Sequence, residues 1–146
     1  MVKQSDSPIV VIVSRVISPF IQLFALYVIF HGHYSPGGGF QGGAMLAASF
    51  LLMRLSVGSE IAPLQFSKTI STPLAAIGVL IFAGVGLIAL VMGGNFLEYK
   101  FLPLSGMTDA ALRSFGILLV EAGVGIGVMA TVVSLYDDLL KGQNDA

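Results

Sequence analysis

The chain has no cysteine and no tryptophan, and only 10% of its residues are charged. Without cysteine there is no disulfide framework and no thiolate metal site. A soluble domain carries about 25% charged residues, so this chain cannot cover a water-facing surface. Its net charge of -1 leaves no basic patch for nucleic acid. The two histidines, His31 and His33, have only Tyr34, Ser35 and Gln41 as nearby donors. A catalytic zinc site wants three protein ligands, so no metal and no cofactor are expected. With no Cys, no His–Asp cluster and one acid inside a span, there is no nucleophile–base pair, which argues against a membrane-embedded enzyme.

What the chain does have is apolar length. Of its 146 residues 55% are hydrophobic, and its mean hydropathy is +0.92. A helix needs ~20 mostly apolar residues to cross the hydrocarbon core. Four stretches meet that requirement, at about residues 9–30, 38–57, 73–92 and 111–136. Pro8 suits a first helical turn, Thr72 an N-cap of the third span, and Thr108 or Asp109 an N-cap of the fourth. The first run is too long for a signal peptide, lacks a small-residue cleavage site and is followed by three more spans. The expectation is one all-α integral membrane domain over residues 1–146, with a polar tail from Asp137 that frays.

Orientation follows the loop Lys and Arg. Lys3, Arg15, Arg54, Lys68 and Lys141 collect on the side of the termini, against Lys100 and Arg113 on the other. Both termini are therefore expected in the cytoplasm, with residues 31–43 and 93–110 facing outward. Arg15 and Arg54 lie near span ends and are expected to snorkel to the interface.

The link between the first two spans, His31-Gly-His-Tyr-Ser-Pro-Gly-Gly-Gly-Phe-Gln-Gly-Gly43, carries six glycines and no Lys, Arg, Asp or Glu. A glycine costs about 1 kcal/mol in a helix interior relative to alanine, so this many together mark a bend or a close approach. Gly37, Gly39 and Gly42 match a dinucleotide-binding pattern in form only, because that motif needs a preceding strand. No Lys-Ser or Lys-Thr follows for a phosphate loop. Pro36 fixes a dihedral before the glycines and sets the entry angle of the second span. Phe40 suits an interfacial anchor. Gly39, Gly43 and Ala47 form a small-residue ridge, which implies close helix packing or, alternatively, a backbone ion site at a broken helix. His31 and His33 read as polar residues that hydrogen-bond the turn. His33 also stays a proton-path candidate, since an unperturbed His titrates near pH 6.5.

Glu121 stands inside the fourth span, where an acid costs roughly 2.5–3.5 kcal/mol. It is either a proton-relay or cation-path carboxylate, or an acid that pairs with a neighbour's polar group. Gly116, Gly123 and Gly127 share one helical face, and Gly123 with Gly127 is a small-xxx-small pair. At about 100° per residue Glu121 points away from that face, along the stripe of Ser114, Gly125 and Val128. Two faces then need cover, one from this bundle and one, by expectation, from another chain.

Two of these patterns carry a family resemblance. Gly32-His33-x-x-Pro36-Gly37-Gly38-Gly39-Phe40-x-Gly42-Gly43 and Glu121-Ala-Gly123-Val124 resemble the MnhB (MrpB) component of Mrp-type (Mnh, Sha) multisubunit sodium/proton antiporters. The four-span plan agrees, so the resemblance covers nearly the whole chain. It implies a small subunit in a cell-membrane complex with subunits A, C, D, E, F and G. Such complexes exchange sodium for protons, and related modules occur in membrane-bound hydrogenases. The reading is a non-catalytic transporter subunit with Glu121 and His33 as path candidates. Pro36, Gly37, Gly38, Gly39, Phe40, Gly42 and Gly43 would act in turn packing, and Gly123 and Gly127 in helix packing. A purely structural scaffold and a homo-oligomeric channel are the rivals.

Overall fold

A computed structural model describes residues 7–32, 38–58, 68–104 and 106–144. It contains α1 (Pro8–Phe30), α2 (Gly39–Val57), α3 (Lys68–Val91) and α4 (Asp109–Asn144), with a one-turn 3-10 helix at Tyr99–Phe101 before α4. All four helices are long and apolar enough to cross a membrane. His33, Pro36 and Gly37 lie outside the described residues.

Local chemistry sets most of the ends. Ser7 stands at the N-cap of α1 and Pro8 opens it, where a missing N–H costs nothing. Thr108 caps α4 as expected: its Oγ1 accepts from the Ala111 N–H at 3.4 Å, and its carbonyl from Leu112 at 2.9 Å. Thr72 does not cap α3, which starts at Lys68 and runs through Pro73. The early start has a tertiary cause. Ser71 is fully buried and accepts a 2.7 Å hydrogen bond from the Ser134 hydroxyl of α4. So near the helix start, Pro73 forfeits only the bond to the Thr69 carbonyl. α4 likewise outruns the expected end at 136.

α4 is the central helix. α2 and α3 both pack along it, and α1 lies mainly on α2. The sidedness of α1 fits lipid: Ser14, Ser18 and Ala25 are buried while Ile9, Ile12, Val16, Phe20 and Leu23 are exposed. Water would favour the reverse arrangement, whereas membrane helices join through small residues.

The α3–α4 contact is backbone on backbone. A methyl group at Gly78 would lie 2.6 Å from both the Gly123 carbonyl oxygen and the Gly127 nitrogen. Gly123 and Gly127 are thus packing residues, as their spacing implies. Gly78→Val is expected to separate the helices and cost about 1–3 kcal/mol by overpacking. Gly84, with nothing within 4 Å, provides the control. In thermal unfolding of the purified protein, Gly78→Val should lower the midpoint and Gly84→Ala should leave it unchanged or raise it.

The α2–α4 contact uses the ridge read from the sequence. Gly43 meets Gly125, where an added methyl would lie 2.5 Å from the carbonyl oxygen. Ala47 then packs with Met129 and Val133. At the far end Arg54 does not snorkel. It is 3% exposed and forks onto Asp137, Nε to Oδ1 at 2.8 Å and Nη2 to Oδ2 at 3.1 Å. The fork satisfies both groups in place, so the stem has no reason to reach for the interface.

Candidate ion-path site

Glu121 lies on α4 opposite the point where α1 ends and α2 begins. A methyl group at Gly32 or at Gly38 would overlap its carboxylate, and one at Gly39 would overlap its backbone carbonyl. Its Oε2 atom is buried. The constraint is one of proximity, rigid at Gly39 where the obstacle is backbone, and not of backbone conformation, because Gly38 has an extended φ of -163° that any residue adopts. The acid and the glycine turn, remote in sequence, form one site.

The electrostatics suit an acid. α2 has no acidic residue in its first turn, and no side chain caps it at Gly38. The partial positive charge of a helix N-terminus favours a nearby carboxylate by up to ~2 kcal/mol in partly buried geometry. That is the same order as the cost of placing the acid in a membrane span. At Glu121 and Gly125 the cover comes from this chain's own α1 and α2, whereas Ser114 on the same stripe is exposed. The wheel set Glu121 and Gly125 apart from Gly123 and Gly127 correctly, although Val128 lines the same groove as those two glycines. It could not show that α4 is central and has partners on both faces.

The link from α3 to α4 closes the same end of the bundle. The Asn95 N–H and side-chain amide both donate to Glu98 Oε2, at 2.8 and 2.9 Å. Lys100 pairs with Glu98 at 2.7 Å, and its bond, with that from Asn95, holds the Glu98 carboxyl below the usual range. Three rings seat on three glycines: Phe96 on Gly86, Phe101 on Gly94 and Tyr99 on Gly116. Burial pushes the Tyr99 phenol up, and the charge of Glu121 adds to the effect.

Among the other expected residues, Gly42 packs on Ile29 and Ala25 of α1, and Phe40 points outward, 66% exposed. His31 stacks on Tyr27, and its Nδ1 donates to the Tyr27 carbonyl at 3.0 Å. A groove of about 460 Å³ between α2 and α3, over Gly123 and Gly127, is lined without any ionisable residue. It offers an ion no charged partner. Sequence reasoning missed Arg54 with Asp137, and Tyr99. An arginine inside one apolar run and an acid closing another were the available signal for the pair.

Three apolar helices packed with a central fourth, whose carboxylate meets Gly32 and Gly38, define a multi-pass membrane protein with an acid inside one span. The chain belongs to the MnhB family: residues 9–134 match a domain related to the MnhB subunit of Na+/H+ antiporter. It is 34% identical over 137 residues to the B-type subunit of the Na(+)/H(+) antiporter of Alkalihalophilus pseudofirmus, covering 86% of this chain and 90% of the relative. Against the corresponding antiporter protein of Bacillus subtilis the identity is 29% over 130 residues, covering 82% and 87%. A chain of the membrane-bound sulfane sulfur reductase, an archaeal respiratory membrane complex, superposes with a TM-score of 0.69 at 34% identity. That match covers 96% of this chain and spans 60% of the larger one.

Proposed function

We propose that the chain is a small subunit of a multisubunit sodium/proton antiporter and that Glu121 lies on the ion path. The observation that carries this reading is the acid held at the start of α2 by Gly32, Gly38 and Gly39. An acid inside a span is costly and marks an ion or proton pathway by default. Here a charged or protonated side chain is kept in a fixed place with backbone on several sides. Glu121 accepts a proton or lies beside a sodium route shared with a neighbouring subunit. The chain has no catalysis of its own and no cofactor, and its partners are subunits A, C, D, E, F and G in the cell membrane. Both termini face the cytoplasm on the Lys and Arg distribution. His33 is a second path candidate by its place beside the turn in sequence.

The likeness to a respiratory complex favours a second reading, in which the same module is a scaffold in a redox-driven membrane complex. Purification through a tag on this chain separates the possibilities. Co-purification of several different membrane subunits, with cation/proton exchange in vesicles that is lost without this chain, is expected. A pure homo-oligomer, or a redox complex whose exchange is unchanged without the chain, contradicts the proposal.

A further inference from the structure

The small-residue ladder between α2 and α4 has a weakness as a register device. Gly39, Gly43 and Ala47 recur every four residues on α2 and meet Glu121, Gly125 and Met129, also spaced by four, on α4. Sliding α2 one turn toward its own N-terminal end would set Gly43 against Glu121 and Ala47 against Gly125, both still small on the α2 side, and Leu51 in place of Ala47 against Met129. Small residues let the helices approach closely, and at Glu121 and Gly125 the two registers offer the same kind of contact. The Arg54–Asp137 fork does discriminate. Its two contacts are 2.8 and 3.1 Å, and a one-turn slide displaces the guanidinium by about 5.4 Å. Both charges would then sit in a seam where Arg54 is 3% exposed without that pairing.

We infer that the Arg54–Asp137 pair is a positioning pair that fixes the axial register of α2 on α4 and so places Gly38 and Gly39 against Glu121. A buried ion pair is best attested in this role of setting registry. The fork lies at the opposite end of the seam from the acid, with Ala47, Met129 and Val133 packed between, so it acts on Glu121 only through the helix it holds. Its consequence for transport rests on the reading of Glu121 as the path acid; the register itself does not.

The test reads register directly, by the spin–spin distance between nitroxides on Cys introduced at Phe40 and Leu139. Both positions are exposed, at 66% and 67%, and the chain has no native cysteine. The measurement is made on the complex purified through this chain, with co-purifying chains made cysteine-free. These labels sit far apart along the seam, so a slide maps onto their separation. The native pair should give one distance. Arg54→Met with Asp137→Leu should add a population displaced by up to about 5.4 Å, one helical turn. Arg54→Asp with Asp137→Arg should restore the single distance. If the apolar pair does not assemble, Arg54→Lys, which keeps the charge and gives up the fork, should broaden the distance toward the second population. An unchanged distance in whichever of these variants assembles overturns the inference. Exchange measured alongside addresses the other claim: a slipped register with normal exchange would contradict the role of Glu121 and leave the register result standing.

Discussion

Gly39→Ala is expected to remove the chain from assembled membrane complexes, whereas Gly38→Ala should leave it assembled and impaired. Both added methyl groups meet Glu121, but different parts of it. At Gly39 the obstacle is the Glu121 backbone carbonyl, which α4 holds in its helical ladder and cannot withdraw. The helices must part, at an overpacking cost of about 1–3 kcal/mol or more. Each 1.4 kcal/mol is about a factor of ten in an equilibrium, so the amount of assembled chain should fall by about tenfold or more. At Gly38 the obstacle is the carboxylate end of the side chain, which can swing away. Quantifying this chain in the purified complex checks the first result. For the second, exchange per complex should fall in Gly38→Ala and recover in part with Glu121→Asp, whose shorter side chain makes room for the methyl group.

Glu121→Gln is expected to separate charge from shape. Glutamine has nearly the same outline, so it fits the space left by Gly32, Gly38 and Gly39. It also sits in α4 without the penalty of a charged group in a span. Assembly should therefore stay at the native level. What the variant loses is the ability to take up and release a proton or to balance a cation. Exchange per complex should fall by about a hundredfold, the usual scale for removing a proton-transferring group. Glu121→Asp keeps the charge but draws it back from the start of α2, and should keep part of the exchange with an altered pH profile.

The helices were legible because a membrane span is a matter of length and apolar content, which a single chain displays openly. The expected spans differ from α1 and α2 by one residue at the start and coincide at the end. α3 and α4 run longer because contacts such as Ser71 with Ser134 extend helices past the points where capping chemistry alone would stop them. The site was half legible. Glu121 stood out as an acid in an apolar run and the turn as a glycine cluster, but periodicity within one helix cannot show which other helix faces it. That they form one site depends on α4 being central, a property of the whole bundle. Arg54 misled for a related reason. Read alone near a span end, a cation should snorkel, and only its pairing with Asp137, 83 residues on, shows why it stays inside. Tyr99 had no sequence signal at all, since its place is set by the fit of its ring on Gly116.

The most direct test of the ion-path role is the initial rate of sodium-driven proton movement, per complex and across pH. It is made on purified complex in sealed proteoliposomes, with native Glu121 and with Glu121→Gln. The expected result is equal assembly with exchange reduced about a hundredfold at every pH. Native exchange at every pH by the fully assembled Glu121→Gln complex would contradict it.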